Sequence, residues 1–461
     1  MRVIVCGAGE VGTTIARHLA SEGMSVAVID NDPELVRRVD ESYDVRGVLG
    51  HASHPSTLQK AGARDADLLI AVTRSDEVNM VACQVAYSLF GVKQRIARLR
   101  HTGYLEQDKG GLYAAEHLPI DVIISPEIEI AEGIARRLRT PGAFDMVPMA
   151  GGLVELLGIH TGAQDCTVTG RRIAEIAERG PVEDTSVVAL VRRGRCFVPN
   201  SDDRIEPGDD VYAIASTDKV DEVMAAFGHR EKVARRIVIV GAGNVGLHLA
   251  RKISEESPGV EIKIIEQDRA RAEHVSQELS AAAVVLHGDA LDRALLDEAR
   301  AGLADTIIAV TNDDETNIFA SVLAKQAGCK RAITLVNKRS YEALIPTLGI
   351  NAVVSPSAVT ISTVLRHVRH GAISALYTLR EDFGEVVEAE ITEDSRLLFR
   401  PIDQLGLPPG MKIGAVVRDE EVIIPRSDAQ LQVGDRIVVL VTYSYLRLAE
   451  ALLMGTVRGR A

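Results

Sequence analysis

The sequence predicts an α/β protein in four parts: two Rossmann-like, doubly wound parallel-sheet domains, each followed by a small α+β accessory domain. An apolar run leads into Gly7-Ala8-Gly9-Glu10-Val11-Gly12, and the same pattern returns 234 residues later as Gly241-Ala242-Gly243-Asn244-Val245-Gly246. A second echo follows each α/β segment. Pro199-Asn200-Ser201-Asp202 with Gly208-Asp209 recurs 226 residues on as Pro425-Arg426-Ser427-Asp428 with Gly434-Asp435. The repeating unit is therefore a pair of domains, and a repeat must be recognised before any other feature is read.

In the first α/β segment, residues 3–6 form an apolar strand and a helical pattern runs from Val11 through Leu19. Between them stands GxGxxG, whose first glycine permits a tight turn, second admits a pyrophosphate and third allows close helix–strand packing. The helix N-terminus then offers free N–H groups and partial positive charge to phosphates. A second strand at 25–29 ends in Asp30, where a carboxylate accepts ribose hydroxyls and repels the extra phosphate of NADP. Further strands are expected at 67–72, 95–99 and 121–124. Thr73 follows the first of these, at the edge where ligands of open sheets sit; its hydroxyl is either a ligand contact or the cap of a helix beginning near Asp76. Arg98 lies inside a strand, where a charge calls for a partner, either a phosphate or a carboxylate.

In the second copy, Gly241, Gly243 and Gly246 follow a strand at 237–240, and Glu266 closes one at 261–265. Asp289 replaces His51, and alignment puts Thr334 opposite Arg98, so the two clefts are expected to differ in affinity or preferred nucleotide. In the accessory segments, β-branched runs at 186–191, 210–214, 413–417 and 436–441 alternate with turn residues. Four or five short strands and one or two helices, 172–178 among them, make a module small for catalysis and suited to regulation or an interface. The expected boundaries are 1–122, 140–228, 233–350 and 370–456.

Composition excludes several functions. No run approaches the ~18 apolar residues of a membrane span, and the chain enters a strand directly after Met1-Arg2, so neither signal peptide nor anchor is expected. A net charge of −13 would be repelled by nucleic acid and anionic lipid, so any membrane association is expected to run through a protein. With 3% aromatics and no Trp there are few stacking platforms for single strands. Cys6, Cys83, Cys166, Cys196 and Cys329 are widely spaced, which fits a reducing cytoplasm and suggests neither zinc site nor disulfide framework. The His51/His54 and His367/His370 pairs lack further ligands at metal spacing, and Asp202-Asp203 and Asp209-Asp210 read as acidic turns. Arg136-Arg137-Arg139 and the basic stretch 366–370 lie late in helical segments, where they oppose the helix dipole. A hydride-transfer enzyme would need a proton-relay residue and a substantial substrate domain, and neither is evident. An NAD-dependent oxidoreductase and a scaffold with degenerate sites remain the competing readings.

The order GAGEVG, Asp30, Thr73-Arg74-Ser75-Asp76-Glu77-Val78-Asn79, Arg98, Ser125-Pro126-Glu127 and a Pro-Gly-Asp module, most of it duplicated, resembles the tandem RCK (KTN) regulators of Trk-type potassium uptake, which also carry TrkA-C modules. Thr311-Asn312-Asp313-Asp314-Glu315-Thr316-Asn317 is more specific to this resemblance than the glycines are. The resemblance implies a non-enzymatic cytoplasmic regulator, peripheral to the inner face of the cell membrane, that assembles as a homo-oligomeric ring beneath a membrane potassium-transport subunit without entering the membrane. It implies NAD(H) or the adenine nucleotides ATP and ADP as ligands. Carried residue by residue, the ligand set is Gly7, Ala8, Gly9, Glu10, Val11, Asp30, Thr73, Arg74 and Arg98, then Gly241, Ala242, Gly243, Asn244, Val245, Glu266, Thr311 and Asn312. Nucleotide is expected to change the angle between the α/β domains, with helices at 125–139 and 355–369 crossing between them.

Overall fold

The computed structural model describes residues 1–21, 23–105, 111–162, 165–179, 185–230, 233–279, 282–342, 344–368, 373–380, 383–426 and 428–453. Of the residues singled out above, Arg369, His370 and Ser427 lie outside these. The first sheet comprises β1 Arg2–Cys6, β2 Ser25–Asp30, β3 Arg46–Leu49, β4 Leu68–Ala71, β5 Gln94–Arg98 and β6 Val122–Ile124. All six strands are parallel, in the order β3-β2-β1-β4-β5-β6. The first accessory sheet holds β7 Ala143–Met149, β8 Val154–His160, β9 Thr185–Arg192, β10 Arg195–Phe197 and β11 Asp210–Ser216, antiparallel in the order β10-β9-β11-β8-β7.

The second half repeats both. Its parallel sheet is β12 Arg236–Val240, β13 Glu261–Glu266, β14 Val284–His287, β15 Thr306–Ala309, β16 Arg331–Leu335 and β17 Ala352–Val354, in the order β14-β13-β12-β15-β16-β17. Its accessory sheet is β18 Ile373–Arg380, β19 Gly384–Glu390, β20 Met411–Arg418, β21 Glu421–Ile423 and β22 Arg436–Thr442, in the order β18-β19-β22-β20-β21. The predicted fold class is thus observed. The central strands read as apolar runs because both faces are covered, and Val3 to Cys6 are fully buried.

The cover on one face comes from the other half of the chain. The helix Pro126–Arg139 starts at the end of β6 but packs Ile130, Ile134 and Leu138 against Ile237, Ile239, Leu249 and Ile253 of the second α/β domain. Reciprocally, the helix Pro356–Val368 lays Ile361, Val364, Leu365 and Val368 on Val3, Val5, Ile15, Leu19 and Ile70 of the first. Proline in the first turn and arginines in the last suit the Pro126–Arg139 helix to both its ends. Those arginines also meet carboxylates: Arg137–Asp145 at 2.9 Å, Arg136–Glu132 and Arg139–Glu256 at 3.7 Å each. The two accessory sheets meet face to face, Leu156, Val188 and Ile214 packing on Val386, Ala415 and Val438.

The acidic turns of the accessory modules are held by arginines that sequence reading overlooked. Asp209 is only 1% exposed and accepts two bonds from Arg192, at 2.8 and 2.7 Å. Asp435 and Arg418 repeat the pair at 2.8 Å each. A fork-on-carboxylate pair supplies the geometry a tight Gly-Asp turn needs. No helix among the described residues is long and apolar enough to cross a membrane.

Leu365→Ala should cost about 2–5 kcal/mol, the usual range for emptying a buried leucine site. Because Leu365 serves the opposite half, hydrogen exchange should rise in β1, β4 and β5; a rise confined to β12 to β17 would show the helix stabilising its own domain instead.

Candidate functional site

Each glycine loop is built as the spacing requires. Gly7 and Gly241 take φ of +111° and +99°, and a Cβ on Gly12 or Gly246 would overlap the carbonyl oxygen of Gly7 or Gly241. Gly9 and Gly243 differ from these. A Cβ there would meet no protein atom within 4 Å, so packing does not demand glycine, whereas close approach by a ligand does. Asp30 pins the loop, its carboxylate accepting from Ala8 N at 2.6 Å and Asp32 N at 2.9 Å. Glu266 does the same for Ala242 N at 2.7 Å and Asp268 N at 2.9 Å. Each carboxylate oxygen keeps a lone pair that can accept a ribose hydroxyl.

Because the crossing helices are exchanged, the two clefts face each other across one cavity of about 1370 Å³. Gly7, Gly9, Glu10, Val11, Asp30, Thr73, Arg74 and Arg98 line it from one side, with Gly241, Gly243, Asn244, Val245, Glu266, Thr311 and Asn312 from the other. Ala8 and Ala242, expected among them, are buried behind the loops and contribute the amides that Asp30 and Glu266 hold. Pro126 and Glu127 of one crossing helix and Pro356, Ser357 and Thr360 of the other also line the cavity. The halves touch there: Asn244 Nδ2 donates to the Arg100 carbonyl at 3.2 Å, and Ser357 Oγ to Glu10 at 3.4 Å.

The Thr-to-Asn segments are scaffolding for the cleft edge. Asn79 is fully buried; its Oδ1 accepts from Thr73 N at 2.9 Å and Thr73 Oγ1 at 2.7 Å, while its Nδ2 donates to the carbonyls of Thr73 and Arg98. Asn317 repeats this with Thr311 and the Leu335 carbonyl. The Thr73 hydroxyl is thus committed to the loop, and the helix Asp76–Phe90 is capped by Ser75, whose Oγ accepts from Val78 N at 3.2 Å. The capping role considered for Thr73 is corrected accordingly. Asp76 and Asp314, buried, accept the amides of Arg100 and His101 and of Asn337 and Lys338.

These bonds also correct the alignment. Asn79 reaches the Arg98 carbonyl where Asn317 reaches that of Leu335, and β4 pairs Ala71 with Ala97 where β15 pairs Ala309 with Thr334. The counterpart of Arg98 is therefore Leu335, and that of Ala97 is Thr334. A one-residue slip turns a strand side chain to the other face, and Thr334 is sealed inside, 2.7 Å from Ser321 Oγ.

Arg98 is 7% exposed, gives one bond to the Thr73 carbonyl at 2.9 Å, and leaves its Nε buried without a partner. Its pKa is pushed down to about 10, first by burial and then by the neighbouring Arg100. Glu127, 3.5 Å from Arg100, has a carboxyl pushed up by burial and an unpartnered Oε2. Of the cavity-lining residues, Arg100, Asn337 and Leu335 went unrecognised in the sequence, as did Arg271, whose Nε donates to the Ala242 carbonyl at 2.8 Å, while Glu127 was noted as part of a motif and given no place in the ligand set. The one available signal was the constant spacing from the Thr-to-Asn segments. His51 bonds Ser53 at 2.8 Å and stacks on His54; Asp289 accepts Leu291 N at 2.9 Å.

The TrkA-N domain family matches residues 3–126 and 237–356, and the TrkA-C domain family matches 163–228 and 386–454. The Trk system potassium uptake protein TrkA of Azorhizobium caulinodans is 43% identical over 452 residues, covering 98% of both chains. The crystal structure of the GsuK RCK domain has a TM-score of 0.60 at 19% identity, covering 98% of this chain and 94% of that one. The GsuK channel bound to NAD gives 0.60 at 18% identity, covering 98% and 78%. The domain pair matched twice in order, together with identity sustained along the whole length, places this chain in the family of the Trk system potassium uptake protein TrkA.

Proposed function

We propose that this chain is a nucleotide-sensing regulatory subunit of a Trk-type potassium uptake system, and that NAD(H) or the adenine nucleotides ATP and ADP, bound in the two clefts, bias the gating of a membrane potassium-transport subunit. The observation that carries this reading is the placement of both glycine loops on one cavity whose walls include the first turns of the exchanged helices. On this reading the ligand set is the one named in the sequence, with the loop amides of Ala8 and Ala242 acting through Asp30 and Glu266. The chain works as a homo-oligomeric ring at the inner face of the cell membrane and performs no catalysis.

Two chemical features support a nucleotide. Gly9 and Gly243 leave backbone open to close approach, and Arg98 holds a buried guanidinium that one carbonyl does not satisfy. A ligand shifts a conformational equilibrium only by binding its states unequally. Here any movement of one α/β domain carries the other domain's covering helix with it, so a nucleotide touching both loops acts on the angle between them. The signal then has a route outward. Arg137, near the far end of its helix, binds Asp145 of β7, which also accepts the Tyr377 hydroxyl of β18, so one carboxylate joins the helix to both accessory sheets.

Replacing Asp30 and Glu266 together by Ala should reduce nucleotide affinity at least about 100-fold in titration calorimetry; unchanged affinity would overturn the site. The wild-type chain should show nucleotide-dependent thermal shifts without consuming NADH against a panel of carbonyl substrates, and sustained turnover would favour an oxidoreductase. Arg137→Met should keep nucleotide affinity within about threefold while removing the nucleotide dependence of potassium uptake in vesicles carrying the transport subunit. Full retention of that dependence would rule out the Arg137–Asp145–Tyr377 route.

A further inference from the structure

We infer that the two clefts divide their ligands by charge, the first accepting a nucleoside polyphosphate and the second a nucleotide whose far end carries no phosphate. This rests on the nucleotide-binding proposal above and assigns a ligand class to each half of it. In a doubly wound sheet the ribose lies on the acid after the second strand, the pyrophosphate on the glycine loop, and the remainder of the ligand toward the opposite flank of the switch point. The halves diverge on that flank.

In the first cleft the flank carries Arg74, Arg98 and Arg100, all lining the cavity. The corrected register gives their counterparts as Asn312, Leu335 and Asn337, which line the same cavity and are all neutral. Glu127 and the buried Asp76 are set against these three guanidiniums, so an excess of positive charge remains there. The second flank instead has Asp313 where the first has Ser75. Its nearest lysine, Lys338, does not line the cavity and is bonded to Glu315 at 2.9 Å.

The second cleft has a cation, but elsewhere. Arg271 occupies the position of Leu35 and reaches the carbonyl of Ala242, placing its charge against the glycine loop. With the helix N-terminus it is suited to a pyrophosphate, and among the described residues lining the far flank none is positive to meet a third phosphate or to repel a cationic nicotinamide. In the first cleft the buried, incompletely bonded guanidinium of Arg98 stands where a terminal phosphate would extend.

Calorimetry on the full chain in magnesium-free buffer tests this with AMP, ADP, ATP and NAD+. In the Glu266→Ala chain, which leaves the first cleft, affinity should climb roughly tenfold from AMP to ADP and again to ATP, the scale of one charge-assisted contact. In the Asp30→Ala chain, which leaves the second, affinity should vary less than about threefold between ADP and ATP, and NAD+ should bind. Two variants at exposed positions guard against loop damage. Arg74→Asn with Arg100→Asn should cost ATP about tenfold more than it costs AMP, and Asn312→Arg with Asn337→Arg should install the phosphate dependence in the second cleft. An identical dependence in both clefts overturns the division while nucleotide binding stands. A wild-type chain that binds none of the four removes both.

Discussion

A parallel sheet is stable only when both faces are covered, and here the cover for one face of each parallel sheet is supplied by the opposite half. The helices Pro126–Arg139 and Pro356–Val368 each bury an aliphatic face outside the domain that precedes them in the chain. Burial of a large aliphatic side chain is worth roughly 1.5–3 kcal/mol. The four from the second helix therefore contribute on the scale of a whole domain's net stability. From this constraint the rest follows: the α/β domains cannot part without exposing both cores, their carboxyl edges are brought opposite one another, and the accessory sheets at the far ends of the helices are brought together face to face.

A rigid frame of this kind makes the cleft edges the natural place for adjustment. Asn79 and Asn317 fix the loop after the fourth strand of each sheet with identical bonds, and Asp76 and Asp314 fix the loop after the fifth. Asn79 and Asn317 are fully engaged, and Asp76 and Asp314 each hold two successive backbone amides, so matching stretches of backbone are fixed in both halves. Side chains projecting from it are then free to differ without altering the loop. Arg74 against Asn312 and Arg100 against Asn337 are differences of this sort, carried on matching scaffolds.

Much of the frame was legible because its chemistry leaves few alternatives. Only glycine can stand at Gly12 or Gly246, and only a side chain with acceptor and donor on one amide can do what Asn79 does. Such positions keep their letters through duplication, and the repeat was visible from them. The edge strands β3 and β14 were not recognised: each is four residues long and at most one of those residues is buried, so neither Arg46–Leu49 nor Val284–His287 carries the pattern of a covered strand. The counterpart of Arg98 was misplaced by one residue because Gln94–Arg98 and Arg331–Leu335 share a single identity in either register, and the hydrogen bonds from Asn79 and Asn317 fix which one holds. The exchange of helices was hidden for a different reason. An apolar helical face records that it is buried but not what buries it.

The internal pseudo-symmetry has a consequence for how such a protein can change over generations. In a dimer of identical chains every substitution appears twice, so a residue useful in one site is imposed on its mate. Covalent fusion of the halves lifts that restriction while keeping the interlocked architecture. Arg137 already illustrates it: the matching position in the other crossing helix is His367, whose ring turns back to the Thr363 carbonyl of its own helix at 2.8 Å. Among the described residues this position connects outward in one half and not in the other, an asymmetry that two halves joined in one polypeptide are free to carry.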